Sequence, residues 1–106
     1  MKYRVLFGAK AKKDILSIYS YIAEKAEPET AEKYFARIER WCTRLETFPQ
    51  RGVNRDDIRK GMRIGGFERR VSIGFYIKGD TVRILRVLYG GRDLSRIDFT
   101  DDDVKP

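Results

Sequence analysis

The residues able to do chemistry in this chain are mostly arginines. Lys and Arg number 23 in 106 residues and His is absent, so the commonest general acid–base group is missing and a zinc site of the usual Cys/His type is excluded. Any catalysis would run on carboxylates, lysines, arginines, tyrosines or the single thiol, Cys42. That thiol sits among Ile38, Trp41 and Leu45 on an apolar helix face, the setting of a buried, inert cysteine. Two arginines, Arg63 and Arg92, stand at predicted strand ends, where side chains reach solvent. A guanidinium there can grip an anion, but with a pKa above about 12 it cannot shuttle protons at neutral pH. Each also has a structural reading: Arg63 could pair with a surface aspartate, and Arg92-Asp93 could cap backbone groups at a strand end.

The charge is uneven. The chain carries +7 overall, yet residues 93 to 106 hold five aspartates against Arg96 and Lys105, a balance of −3 that leaves about +10 on residues 1 to 92. Such a basic body suggests an acidic partner, either nucleic acid or an acidic protein segment, with a well-solvated surface as the structural alternative. No stretch reaches the roughly 18 apolar residues a membrane helix needs. Lys2 and Arg4 fall where a secretory signal would be apolar, so a cytoplasmic protein is expected, with no membrane partner.

The elements that must position these residues follow from periodicity. Tyr3, Val5 and Phe7 alternate as a short strand stopped by Gly8. Ala11, Ile15, Ile18, Tyr19, Ile22 and Ala23 then share one helical stripe, which predicts a helix over residues 10 to 25. Pro28 ends it and suits the first turn of a second helix running to about Thr47, with Ala31, Tyr34, Phe35, Ile38, Trp41, Cys42, Leu45 and Phe48 as its apolar face. Two helices joined so closely form an antiparallel hairpin.

Residues 49 to 61 have no sustained period and read as a loop. Met62 to Ile64 is expected as a short strand and Gly65-Gly66 as a turn, followed by a strand over residues 67 to 78. Gly79-Asp80 is a two-residue hairpin turn into a last strand from Thr81 to Tyr89. Strict alternation there puts Val82, Ile84 and Leu88 on one face and Leu85, Val87 and Tyr89 on the other. A single domain is expected over residues 1 to 106, with an acidic tail frayed over residues 100 to 106.

Four local patterns carry a family resemblance. They are Ala11-Lys-Lys-Asp-Ile-Leu-Ser-Ile-Tyr-Ser-Tyr-Ile-Ala23; Ala31-Glu-Lys-Tyr34 with Leu45-Glu-Thr-Phe-Pro49 and Gly52; Gly61-Met-Arg63; and Val82 through Tyr89 to Gly-Gly-Arg92-Asp93. Together, over residues 3 to 94, they resemble the ParE branch of the RelE/ParE toxins of type II toxin–antitoxin systems. The resemblance implies an α+β fold of order β-α-α-β-β-β, a helical hairpin packed on a small, mostly antiparallel sheet. It implies a non-enzymatic toxin without cofactor or metal that stabilises the DNA cleavage complex of DNA gyrase, meeting DNA only indirectly, and a ParD-like antitoxin that neutralises it.

RelE-type relatives cut messenger RNA on the ribosome, which takes converging basic residues and a group with a proton to exchange. Arg92 falls about where a RelE-type catalytic arginine would, and Arg69 or Arg70 approximates another, but the residues after Arg92 offer no tyrosine. A ribosome-dependent endoribonuclease stays the alternative, favoured if Arg69, Arg92 and a lysine such as Lys60 converge near a proton-exchanging group. A plain nucleic-acid-binding module is a third reading, opposed by Tyr34, Phe35 and Trp41 lying on predicted buried faces. The expected partner-contacting residues are Arg63, Arg69, Arg92 and Asp93. Ile15, Ile18, Tyr19, Ile22, Leu85, Val87 and Tyr89 are expected to line an antitoxin groove.

Overall fold

The computed structural model describes residues 2 to 101. Its elements run β1 (Arg4–Phe7), α1 (Ala9–Lys25), α2 (Pro28–Thr43), a 3₁₀ turn at Arg44–Glu46, β2 (Val53–Asn54), β3 (Met62–Phe67), β4 (Val71–Lys78), β5 (Thr81–Tyr89) and a second 3₁₀ turn at Leu94–Arg96. The strands form one five-stranded sheet ordered β1-β5-β4-β3-β2. Only β1 on β5 is parallel; the other pairings are antiparallel. This is the expected α+β architecture, with one strand, β2, that the loop sequence did not announce.

Both helices lie on one face of the sheet. Ala11, Ile18, Tyr34, Ile38, Trp41, Cys42 and Leu45 meet Ile73, Phe75, Val82, Ile84 and Val87 in the main core. Each large apolar side chain fully buried there contributes about 1.5–3 kcal/mol. Cys42 is fully enclosed, and burial pushes its thiol up to about 12, so it is the inert cysteine that its neighbours suggested.

Three local expectations need correction. Gly65-Gly66 is not a turn: β3 runs straight through it, and the turn falls at Glu68 to Arg70. Gly65 is needed because Trp41 packs against its backbone, where a Cβ would lie 2.3 Å from the indole ring. The α-helix also ends at Thr43 rather than about Thr47, tightening into the 3₁₀ turn that brings Leu45 into the core. In β5 a bulge breaks the alternation: Phe75 faces Ile84 while Gly74 faces Arg86, leaving Leu85 as the extra residue. Val82, Ile84 and Val87 therefore share the helix-facing side, and Leu85 turns with Leu88 to the other.

That other side is covered by the chain after β5. Phe99 closes a second small core with Met62, Leu85 and Leu88, packed so near Gly74 that a Cβ there would come within 2.7 Å of its ring. Arg59 Nη1 donates to the Phe99 carbonyl at 2.8 Å. Arg83 grips both oxygens of Asp101, at 2.9 and 2.8 Å, and Tyr76 Oη donates to the same carboxylate at 2.9 Å. Thr100 and Asp101 are thus fastened rather than frayed, because the apolar second face needs a cover. The rest of the tail expected to fray, residues 102 to 106, lies outside the described residues.

Candidate functional site

The β3–β4 turn is built against its own backbone preference. Glu68 and Arg69 both adopt left-handed φ, 48° and 61°, a conformation more at home with Gly or Asn. What holds it is a two-point ion pair: Arg37 on α2 donates from Nε at 2.7 Å and from Nη2 at 3.2 Å to the two oxygens of Glu68. That contact also holds the Glu68 carboxyl below its ordinary range. Gly90 N–H then donates to the Arg70 carbonyl at 2.7 Å, tying the exit of β5 to the turn.

These bonds bring Arg69, Arg70 and Arg92 to one end of the sheet, all exposed and none in an ion pair with a described residue. Between α1 and the end of β5 lies a cleft of about 330 Å³ lined by Asp14, Ser17, Tyr21, Val87, Tyr89 and Arg92, with Ile18 at its floor. The rings of Tyr21 and Tyr89 meet at 5.7 Å between centroids. Asp14 is fully committed: its carboxylate accepts Arg86 Nε at 2.7 Å, Arg86 Nη2 at 2.8 Å and the Val87 amide at 2.9 Å. Beneath the cluster, Tyr34 packs edge-on to Phe67 and Tyr89; burial, first among several causes, raises its pKa, and its hydroxyl finds no partner among the described residues.

Arg63 does something different. Its guanidinium donates to the carbonyls of Arg51 at 2.8 Å, Gly52 at 3.1 Å and Gln50 at 3.2 Å. It is neither paired with an aspartate nor turned outward; it fixes the loop between the helical hairpin and β2. It also lies near the start of β3, whereas Arg69 follows its end, so the two cannot share a contact point. Lys60 precedes β3 by two residues and is likewise separated from Arg69 by the length of a six-residue strand, about 20 Å. Lys60 therefore does not join Arg69 and Arg92; the lysine at their end of the sheet is Lys25, over the Tyr21 ring. Asp93 turns its carboxylate onto Ser95, accepting from the hydroxyl at 2.7 Å and the amide at 3.1 Å, and so caps the short turn after β5.

The residues expected to line an antitoxin groove divide. Leu85 and Val87 are buried in the two cores, because the bulge and the C-terminal cover enclose both faces of β5. Ile18 is also core, and Tyr19 and Ile22 are half-buried between the helices. Tyr89 belongs to the arginine-end cleft. Ile15 alone opens onto a separate apolar cleft of about 330 Å³, together with Phe7, Leu16 and Phe35 and flanked by Lys12 and Glu39. Leu16 is 67 % exposed and Phe35 38 %, although Phe35 had the spacing of a core residue. Leu16 was detectable beforehand as an apolar residue off the Ala11–Ile15–Ile18–Ile22 stripe.

Among the described residues no group of three or more Cys, Asp or Glu able to hold a metal ion occurs, and no helix is long and apolar enough to cross a membrane. A family model described as the ParE toxin of type II toxin–antitoxin system, parDE, matches residues 5–94. Among solved structures, the chromosomal ParDE system from P. aeruginosa is similar at a TM-score of 0.74 and 26 % identity, over 85 % of this chain and 98 % of that one. The toxin–antitoxin complex RelBE2 from Mycobacterium tuberculosis is similar at a TM-score of 0.58 and 20 % identity, over 84 % of this chain and 99 % of that one, a likeness of fold alone. No curated protein sequence matches the chain.

Proposed function

The chain belongs to the ParE toxin family of type II toxin–antitoxin systems, and from that premise we propose that it acts in the cytoplasm by binding DNA gyrase and stabilising its DNA cleavage complex, without catalysis of its own, and that a ParD-like antitoxin neutralises it. The observation that carries the proposal is the make-up of the arginine end. Arg69, Arg70 and Arg92 offer charge for recognition, while the one carboxylate in their cleft, Asp14, has both oxygens engaged and is not available as a general base. Cations beside a carboxylate that is already engaged suit anion recognition, and a 2′-hydroxyl activation would have to run through the phenols of Tyr21 and Tyr89.

The antitoxin would seat a helix in the cleft of Phe7, Ile15, Leu16 and Phe35, burying apolar surface that the monomer leaves wet. Lys12 on one flank and Glu39 on the other would meet charges of opposite sign on that helix. Purified protein added to gyrase and supercoiled plasmid is expected to accumulate linear, gyrase-linked DNA after detergent and protease, and a ParD-like antitoxin to abolish this. Position-specific cuts in translated messages, with gyrase unaffected, would establish the ribonuclease reading instead.

A further inference from the structure

We propose that the arginine end of the sheet is a nucleic-acid site, holding a DNA strand directly: Arg69, Arg70 and Arg92 on its phosphates and Tyr21 with Tyr89 against an unstacked base. The inference rests on the reading that the target is gyrase engaged with DNA, and adds that this chain, not gyrase alone, touches the strand.

Three independent features converge there. The first is charge left over after folding. Arg37, Arg55, Arg83 and Arg86 each meet a carboxylate in a two-point contact, and Arg63 is consumed by three carbonyls. Arg69, Arg70 and Arg92 stay unpaired among the described residues, on adjacent stretches of chain tied by the Gly90 to Arg70 bond. A protein segment can meet such a cluster with carboxylates, but a phosphodiester strand supplies regularly spaced anions for all three.

The second feature is a strained turn that presents two of them. Successive non-glycine residues at positive φ cost on the order of 1–3 kcal/mol each and persist only where surroundings enforce them. Here the flanking β3–β4 pairing closes the turn with the Arg37–Glu68 pair beside it, and its result is to hold Arg69 and Arg70 exposed at this end of the sheet.

The third feature is the aromatic cleft at their side. Tyr21 is about half exposed and its ring leans on Tyr89; Lys25 lies 5.9 Å from the Tyr21 ring centre. At about 330 Å³ the cleft falls at the small end of the range of roughly 300–1,000 Å³ for ligand sites, the scale of one nucleotide. Its Ser17 hydroxyl and Tyr hydroxyls can bond a base edge, and the Asp14 charge that would repel phosphate is neutralised by Arg86. Arginine beside an exposed tyrosine, here Tyr21 backed by the half-buried Tyr89, is the combination by which single strands are held, phosphate on guanidinium and base on ring.

The test uses the whole chain without gyrase. Fluorescence anisotropy with a labelled single-stranded DNA oligonucleotide, from about 50 to 200 mM salt, should show salt-dependent binding. In R69A/R70A/R92A the slope of log affinity against log salt should flatten by about two units. Tyr21→Ala should weaken binding about tenfold or more at fixed salt with the slope unchanged. R4A/R40A/R44A removes equal charge elsewhere and should leave binding within about twofold. Equal losses in the two triple variants would overturn the site and leave only a basic surface. Binding of an acidic peptide but not of DNA would overturn it in favour of a protein partner. The gyrase cleavage assay on the same variants separates the two readings: poisoning without DNA binding sinks this inference alone, and DNA binding without poisoning sinks the proposed function alone.

Discussion

The two ends of the sheet are both rich in arginine and use it in opposite ways. Around the start of β3, Arg63 ties down a loop, Arg59 holds the Phe99 carbonyl and lies over the Tyr76 ring, and Arg83 clamps Asp101, whose side chain is only 2 % exposed. Around the β3–β4 turn, Arg69, Arg70 and Arg92 face solvent. The difference is one of where the acceptors are. At the first end the chain's own loops supply carbonyls and a carboxylate; at the second the nearby acids are already engaged, Glu68 by Arg37, Asp14 by Arg86 and Asp93 by Ser95. Residue type is the same throughout, so what an arginine does here is decided by the neighbouring backbone, and substitutions at the two ends should separate stability from activity.

The largest effect is expected at Arg83. Removing it leaves the buried Asp101 carboxylate without its bidentate partner, and breaking such a pair from one side costs about 3–5 kcal/mol. Urea unfolding of Arg83→Ala should show that loss; a change under about 1 kcal/mol would mean that the cover of the second face is not fastened by this pair. Next comes Arg63→Ala, which orphans three carbonyls and should cost about 1–3 kcal/mol by the same measurement. Any loss of toxicity in that variant should therefore come with a lower melting temperature, whereas Arg92→Ala should lose toxicity while its stability stays within about 0.5 kcal/mol of wild type.

A smaller effect, with the opposite sign, is expected at the turn. Arg69→Gly relieves a positive φ and should gain up to about 1 kcal/mol, while Arg69→Ala keeps the strain and should gain nothing. The smallest concerns pH. Arg37 holds the Glu68 carboxyl below its ordinary value, so this pair stabilises the fold above the unfolded carboxyl pKa of about 4.3 and ceases to do so as pH falls through the lower folded value. Melting curves of wild type and Glu68→Gln should accordingly differ at pH 7 and converge as pH falls below that lowered value.

Much of this architecture was legible beforehand, and the reasons for the exceptions are physical. The helices were visible because their apolar stripes repeat at helical spacing and Pro28 marks their junction. Gly65-Gly66 misled because glycine serves turns and close packing alike, and only the Trp41 ring above the strand distinguishes them. The bulge at Leu85 was hidden because apolar residues occupy both faces of the strand, and its one trace is the odd spacing of Arg83 and Arg86. Arg69 was found as a candidate from the resemblance to RelE-type relatives, and Arg92 from its place at a strand end. Arg63 had the same signal, but its acceptors are backbone carbonyls of a loop whose sequence carries no mark of them. Tyr21, the exposed aromatic of the cleft, was passed over as part of an ordinary helix.

The parallel pairing of β1 with β5 has a consequence for how the molecule comes into being. Residues 4 to 7 cannot find their partners, 81 to 84, until nearly eighty more residues have been translated, on the order of 4–16 s at roughly 5–20 residues per second. During that interval the hairpin of α1 and α2 can form, since its contacts are local, but the strands that bury its stripe do not yet exist. Closure of the sheet thus waits for β5, and until then a growing chain spends seconds as a helical hairpin with its apolar side uncovered. The fold is complete only once β5 has joined β1, and until then the hairpin offers its apolar side to whatever can cover it.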